Sequence, residues 1–207
     1  MINYSKRNIL IIAEGLEEKI YLDKLLCFPN INKDAYCFNA VVNSKGSGNI
    51  KARYQYALQN GYYDVILIFC DVDRMSDDFV RLLNEIGEFF ENKEDAMKVF
   101  IFANPVTLQI VLSHFGDVNL IKSGKKTNAS TVKALTGISN YDAKEDQIRK
   151  MINSIRYDSL GDFKKRLGKI STDIKDVPST NFLWFLTKFE ENDTSWVDDI
   201  IVSLRKE

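Results

Sequence analysis

Two apolar runs that each end in acidic residues constrain the fold of this chain more than any other feature. Residues 9–13 are followed directly by Glu14. Residues 65–70 are followed by Asp71 and, two positions later, by Asp73. Runs that stay apolar without interruption are typical of strands buried on both faces of a parallel sheet. We therefore predict an α/β fold in which both strands belong to one sheet.

The acidic residues at these strand ends predict a binding site. Ligands of open α/β sheets bind beyond the carboxyl ends of the strands, so we expect Glu14, Asp71 and Asp73 to lie close together there. Carboxylates gathered in one place repel one another unless a cation neutralises them, and hard oxygen ligands suit Mg²⁺ or Mn²⁺. The pattern predicts a divalent-metal site that acts on phosphodiesters.

A simpler role is open for each acid taken singly. An acidic residue after a buried strand often caps the next helix. The alternation of Asp71 and Asp73 favours the site, because both side chains point to the same side if the strand extends that far.

The N-terminal half alternates between strand and helix patterns, and the C-terminal half is helical. The first half predicts helices at 16–26, 50–60, 77–92 and 106–115, with further strands at 35–42 and 97–103. Helical patterns follow at 130–135, 143–155, 160–170, 182–190 and 196–205. The alternation predicts a largely parallel sheet with helices on both faces. We expect a core at 1–115, and a basic loop and helical extension at 116–207 packed on it.

The charge of the chain restricts how it could bind a polyanion. The net charge is −1, so binding of nucleic acid has to rely on local basic groups. The candidates are Lys122, Lys125 and Lys126 in a predicted exposed loop at 116–127, Arg74 beside the aspartates, and Lys45 in a glycine-containing loop. Charge runs of this kind are also common on solvated faces, and that alternative stays open.

The apolar runs and cysteines bear on location. No run approaches the roughly 20 apolar residues needed to cross a bilayer, and no secretion signal is apparent at the start. Cys27, Cys37 and Cys70 lack metal-ligand spacing. We predict a cytoplasmic protein without a membrane segment, with all three thiols reduced and in the core.

Several of these segments together resemble a known superfamily. Glu14–Lys19, followed by Tyr21–Leu22, and the later Asp71–Asp73 resemble the Toprim fold of topoisomerases, bacterial primases, recombination-repair proteins and OLD-family nucleases. Within it they are similar to RloB-like proteins and OLD nucleases, as are Asn104–Pro105 and His114–Phe115. The RloB resemblance covers about the first two thirds of the chain.

The resemblance implies a metal-dependent nuclease that hydrolyses phosphodiester bonds of DNA or RNA, tRNA included, in bacterial defence against phage. It implies that Asp71 and Asp73 hold one divalent ion and that Glu14 completes the shell or moves a proton. Glu18 would help to bind a second ion. The alternative for Glu18 is an ordinary solvated residue at a helix start.

Two residues depart from a simple catalytic interpretation. RloB-like sequences carry a glutamate three residues after the proline, where Leu108 stands here. This departure favours a second hypothesis, a catalytically weak module that binds an ATPase partner or nucleic acid as a sensor. His114, the only histidine, follows an apolar run, so packing or a local hydrogen bond is favoured over catalysis.

Overall fold

The computed structural model describes residues 6–42 and 49–205 and contains a five-stranded sheet. The strands are β1 (Arg7–Ala13), β2 (Tyr36–Val42), β3 (Val65–Asp71), β4 (Phe100–Asn104) and β5 (Ser179–Thr180), in the order β2-β1-β3-β4-β5. β1 to β4 run parallel, and β5 is antiparallel to β4. The predicted α/β class with a largely parallel sheet is confirmed.

Helices fill the connections and the C-terminal half. They are α1 (Leu16–Leu25), α2 (Ile50–Asn60), α3 (Asp77–Gly87), α4 (Leu108–Leu112), α5 (Lys125–Thr136), α6 (Glu145–Asn153), α7 (Leu160–Leu167), α8 (Phe182–Glu190) and α9 (Ser195–Ser203), with 3₁₀ helices at Lys93–Val99 and Tyr157–Ser159. The predicted bounds of α2 and α8 match those of the structure.

Aromatic contacts show that helices cover both faces of the sheet. The ring of Phe182 in α8 lies 5.5 Å from that of Tyr21 in α1 and 5.6 Å from that of Phe69 in β3. Phe79 of α3 contacts Phe100 at 5.7 Å. Phe100 pairs with the residue before Phe69 and therefore points to the opposite face. Both faces are thus buried, as the apolar runs predicted.

The C-terminal half also contributes a strand that sequence analysis did not predict. In β5, the Thr180 hydroxyl donates to the carbonyl of Phe102 at 2.6 Å. Next to it, the Asn181 side chain accepts from the Phe102 amide and donates to the carbonyl of Phe100, at 2.9 and 2.7 Å. Two residues are too few for a period-2 pattern, and side chains supply much of the pairing. Residues 116–207 are therefore not purely a helical extension.

Tertiary pairing ends α3 earlier than predicted. The helix ends at Gly87 instead of near residue 92. The Glu91 amide donates to the carbonyl of Ser203 at 3.0 Å, and the Arg205 amide donates to that of Phe89 at 2.9 Å. These contacts with the C-terminus replace further helical hydrogen bonds, and a local helix pattern does not reveal them.

The predicted basic loop is shorter than expected, and two of its lysines are helical. Helix α5 begins at Lys125, so Lys125 and Lys126 lie in its first turn. The Asn128 amide donates to the carbonyl of Gly124 at 3.1 Å, and its side chain donates to that of Lys122 at 2.8 Å. These bonds start the helix before the apolar periodicity becomes visible.

All three thiols are free, and the predicted core location was right for one of them and wrong for two. Cys70 is buried in β3, whereas Cys27 and Cys37 are exposed. Cys27 follows the end of α1, and Cys37 lies on the edge strand β2, where Tyr36 turns inward instead.

Across residues 6–42 and 49–205, every helix is too short or too polar to cross a bilayer.

His114 is a packed residue of the core. It is 5 % exposed, its ring stacks on Phe163 at 3.6 Å, and its Nε2 lies 2.9 Å from the Tyr21 hydroxyl. Burial, with a smaller contribution from the Arg166 cation, lowers the pKa of His114 to about 3. The imidazole is therefore neutral near pH 7, and its contacts are those of packing.

We expect this histidine to make stability depend on pH. Its pKa in the folded protein is below the unfolded value, so the unfolded chain binds more protons as pH falls from 6.5 towards 3. Its stabilising contribution is complete above pH 6.5 and decreases below it. Between about pH 7.5 and about pH 5, wild type should lose about 2 kcal/mol more stability than His114→Gln does. Urea unfolding measures this, and parallel pH profiles for the two proteins would contradict it.

Candidate active site

Glu14 and Asp71 lie side by side at the carboxyl ends of β1 and β3. The Glu14 amide donates to the carbonyl of Phe69 at 2.9 Å, which continues the pairing of the two strands. The Asp71 amide then donates to Oε2 of Glu14 at 3.0 Å. The parallel register thus brings the two carboxylates together, as the sequence predicted.

Thr107 holds Asp71 from a third segment. Oδ1 of Asp71 accepts from the amide and the hydroxyl of Thr107, at 2.6 and 2.8 Å. Thr107 is fully buried and follows the Asn104–Pro105 step at the end of β4. Two donors on one oxygen orient the carboxylate and direct Oδ2 elsewhere. Sequence analysis missed Thr107, whose only signal is its place just after the proline.

Asp73 reaches the site by a different route from the one predicted. The strand ends at Asp71, so the period-2 argument does not apply. Asp73 has φ 44°, and Arg74 has φ 60°, a left-handed conformation that is rare for such residues. The Asp73 amide donates to the carbonyl of Pro105 at 3.2 Å, and the Arg74 amide donates to Oδ1 of Asn104 at 3.0 Å. This turn leaves Asp73 exposed, at the rim of a pocket that Glu14 and Asp71 also line.

Glu18 is buried, which contradicts the solvated alternative. It is 6 % exposed, and its Oε2 accepts from the Gly15 amide at 3.0 Å. The carboxylate thereby satisfies a free backbone donor at the start of α1. Glu18 therefore both caps α1 and belongs to the acidic cluster.

Glu17 is a member of the cluster that sequence analysis did not identify. Its Oε2 accepts from the Tyr141 hydroxyl at 3.3 Å. Its Oε1 is shielded from solvent and has no hydrogen-bond partner in the part of the chain that the structure describes. The side chain resembles a surface glutamate in sequence, because only the fold of the C-terminal half covers it.

These acids surround one pocket of about 550 Å³. Its acidic lining consists of Glu14, Glu17, Glu18, Asp71, Asp73 and Asp78. Its apolar lining includes Leu16, Val106, Leu108 and Ile148, and Lys125 and Tyr141 also line it. Leu108 is part of this lining, so the wall of the pocket is apolar there.

The predicted basic residues divide into different groups. Lys125 lines the pocket, whereas Lys122 and Lys126 are exposed outside its lining. The Arg74 guanidinium donates to the carbonyl of Ile121 and so fixes the segment before α5. Lys45 lies outside the described residues. Only Lys125 of the four described basic candidates is thus placed at the acids.

Burial and mutual repulsion raise the pKa values of carboxyl groups in the pocket. Burial raises the pKa of Asp71 well above its ordinary value, and the charges of Glu18 and Glu14 raise it further. Burial and the neighbouring Glu18 raise the pKa of Glu17 to about 8. Lys125 opposes the shift at Glu17 without cancelling it. Ionisation of these carboxyls is therefore costly, because the pocket's own cation and hydrogen-bond donors do not fully neutralise the charges that would form.

The donor chemistry of the pocket fits a hard divalent cation. Carboxylate oxygens are the ligands that Mg²⁺ and Mn²⁺ prefer, and the unpartnered Oε1 of Glu17 is an oxygen that a cation would satisfy. Within residues 6–42 and 49–205, no three His, Cys, Asp or Glu side chains form a ready metal-binding group. The acids line the pocket wall with several oxygens engaged by backbone amides.

Comparison with known proteins adds no assignment. The chain has no significant match among protein-family models, curated proteins or solved structures.

We expect Asp71→Asn to stabilise the protein in the absence of metal. Asparagine keeps the acceptor for Thr107 and removes the charge. Because burial raises the pKa of Asp71 in the folded state, the wild type loses stability as pH rises past the unfolded pKa. Chemical unfolding with a chelator should show a gain in stability near pH 8 that shrinks as pH falls towards the ordinary pKa of aspartate. A loss of stability near pH 8 would contradict this.

Proposed function

We propose that this chain is a divalent-metal-dependent nuclease whose active site is the acidic pocket at the carboxyl ends of β1 and β3. The observation that supports it is the convergence on one pocket of six acids, Glu14, Glu17, Glu18, Asp71, Asp73 and Asp78. The pKa values of Glu14, Glu17, Glu18 and Asp71 are raised, chiefly by burial. A cluster of acids whose ionisation is costly, placed at the edge of the sheet where ligands bind, favours a site that binds a cation.

The residues have separate parts in the proposal. Asp71, Asp73, Glu14 and Glu18 would hold Mg²⁺ or Mn²⁺, which when bound would polarise the scissile phosphodiester and activate water. Thr107 orients Asp71 through its two hydrogen bonds. Lys125 supplies the positive charge that attracts the substrate phosphate into a pocket otherwise rich in acids.

The substrate class in this proposal is nucleic acid, DNA or RNA, with tRNA among the RNA substrates. The resemblance to RloB-like proteins extends the proposal to defence against phage in the cytoplasm. A cleavage screen therefore includes single-stranded and duplex DNA, bulk tRNA and unstructured RNA.

Cleavage of nucleic acid should require Mg²⁺ or Mn²⁺ and an intact Asp71. Asp71→Asn should lower the rate by at least about 100-fold, because an amide is a weaker ligand for the cation than a carboxylate. Gel assays with each metal and with a chelator measure this. Glu94→Gln, a change at an exposed glutamate on the 3₁₀ helix Lys93–Val99, is the control and should cleave normally. Equal cleavage by wild type and Asp71→Asn would contradict the proposal.

Two adjacent lysines provide a matched test of substrate binding. Lys125 lines the pocket, and Lys126 is the next residue of α5 outside that lining. We expect Lys125→Ala to weaken nucleic-acid binding by about tenfold and to reduce its salt dependence, because one phosphate contact is lost. Lys126→Ala should change binding much less. Fluorescence anisotropy at several salt concentrations measures both, and equal losses would indicate general surface attraction.

A second candidate is a catalytically weak module that binds nucleic acid or an ATPase partner as a sensor. Leu108 favours it, because this residue places an apolar side chain in the pocket where RloB-like proteins carry an acid. Nucleic-acid binding without cleavage under either metal would support this candidate over the nuclease. Stimulation of the chain by an added ATPase would favour the version with a protein partner.

A further inference from the structure

Glu17 has the one pocket carboxylate oxygen that is shielded from solvent without a hydrogen-bond partner, counted over the described part of the chain. Its neighbours differ in this respect. Glu14 accepts from the Asp71 amide, and Glu18 accepts from that of Gly15. None of the ion pairs among residues 6–42 and 49–205 includes Glu17.

A bare carboxylate oxygen is costly in the position that Glu17 occupies. An unsatisfied buried polar group costs about 1–3 kcal/mol, and more when it is charged. The Tyr141 hydroxyl contacts only the other oxygen, at 3.3 Å. A ligand that satisfied Oε1 would have to be a cation or a donor, since the pocket around it is lined by further acids.

Tyr141 ties Glu17 to the C-terminal half of the chain. Tyr141 is 2 % exposed and lies between α5 and α6, and α6 packs against α1. The tyrosine is therefore fixed by the core and holds one oxygen of Glu17 in place. The other oxygen, Oε1, is left without a hydrogen-bond partner within the described residues.

We propose that Glu17 is an additional ligand of the divalent cation in this pocket, held in position by Tyr141. The proposal rests on the proposed function for the presence of the cation, and it assigns a residue that the Toprim resemblance does not. Tyr141 acts as a positioning residue. The ligands then all come from the N-terminal half of the chain, and the C-terminal half positions one of them.

Calorimetric titration of the full chain with Mn²⁺ tests this directly. We expect Glu17→Gln to weaken Mn²⁺ affinity by about tenfold or more, and Tyr141→Phe to weaken it by about tenfold, the usual effect of losing a group that orients a ligand. Glu94→Gln is the control and should bind as wild type. Normal Mn²⁺ affinity in Glu17→Gln, with loss in Asp71→Asn, would overturn the inference and leave the nuclease proposal intact.

Thermal unfolding separates a ligand from a structural residue. If Glu17 is a ligand, Glu17→Gln should unfold with a chelator at the same or a higher temperature than wild type, since glutamine removes a group whose ionisation in the folded protein is costly. The variant should also gain less stability from Mn²⁺ than wild type does. A lower melting temperature without metal, with an undiminished gain from Mn²⁺, would contradict the inference. Mn²⁺ binding in wild type without any nuclease activity would instead contradict the proposed function alone. Failure of wild type to bind Mn²⁺ would refute both.

Discussion

Repulsion among carboxylates at the ends of two parallel strands is the constraint on which the rest of the site depends. Parallel pairing places Glu14 and Asp71 at the same edge, and burial there makes their charges costly. Hydrogen bonds from the Asp71 amide and from Thr107 offset part of that cost. Under the proposed function a bound cation would offset the remainder, so stability without metal and metal affinity would oppose each other.

The C-terminal half takes part in both the sheet and the pocket. Its strand β5 pairs with β4, and Tyr141 and Lys125 line the pocket beside α1. Asn104 joins the parts further, because its side chain accepts from the Arg74 amide and donates to the carbonyls of Ile174 and Asp176. One buried amide thus connects the turn that carries Asp73 with the segment before β5.

The role of each buried polar side chain in this protein depends on its hydrogen-bond partners. Glu18 satisfies the start of α1, and Gln109 donates to the carbonyl of Val118 and accepts from the amide of Leu120, at 2.8 and 2.7 Å. Gln109 therefore fixes the loop that contains Val118 and Leu120. Glu17 differs because one of its oxygens has no such partner within the described residues.

The sequence by itself determined the α/β class, most of the strands and helices, and the meeting of Glu14 with Asp71. Period and apolar runs are local properties, and parallel strands necessarily end at one edge. Only the tertiary structure decided that Asp73 enters through a left-handed turn, that Lys125 belongs to a helix at the pocket, and that Thr107, Glu17 and Tyr141 join the site. Those features depend on contacts between residues distant in sequence, such as Glu17 with Tyr141, and no local pattern records such contacts.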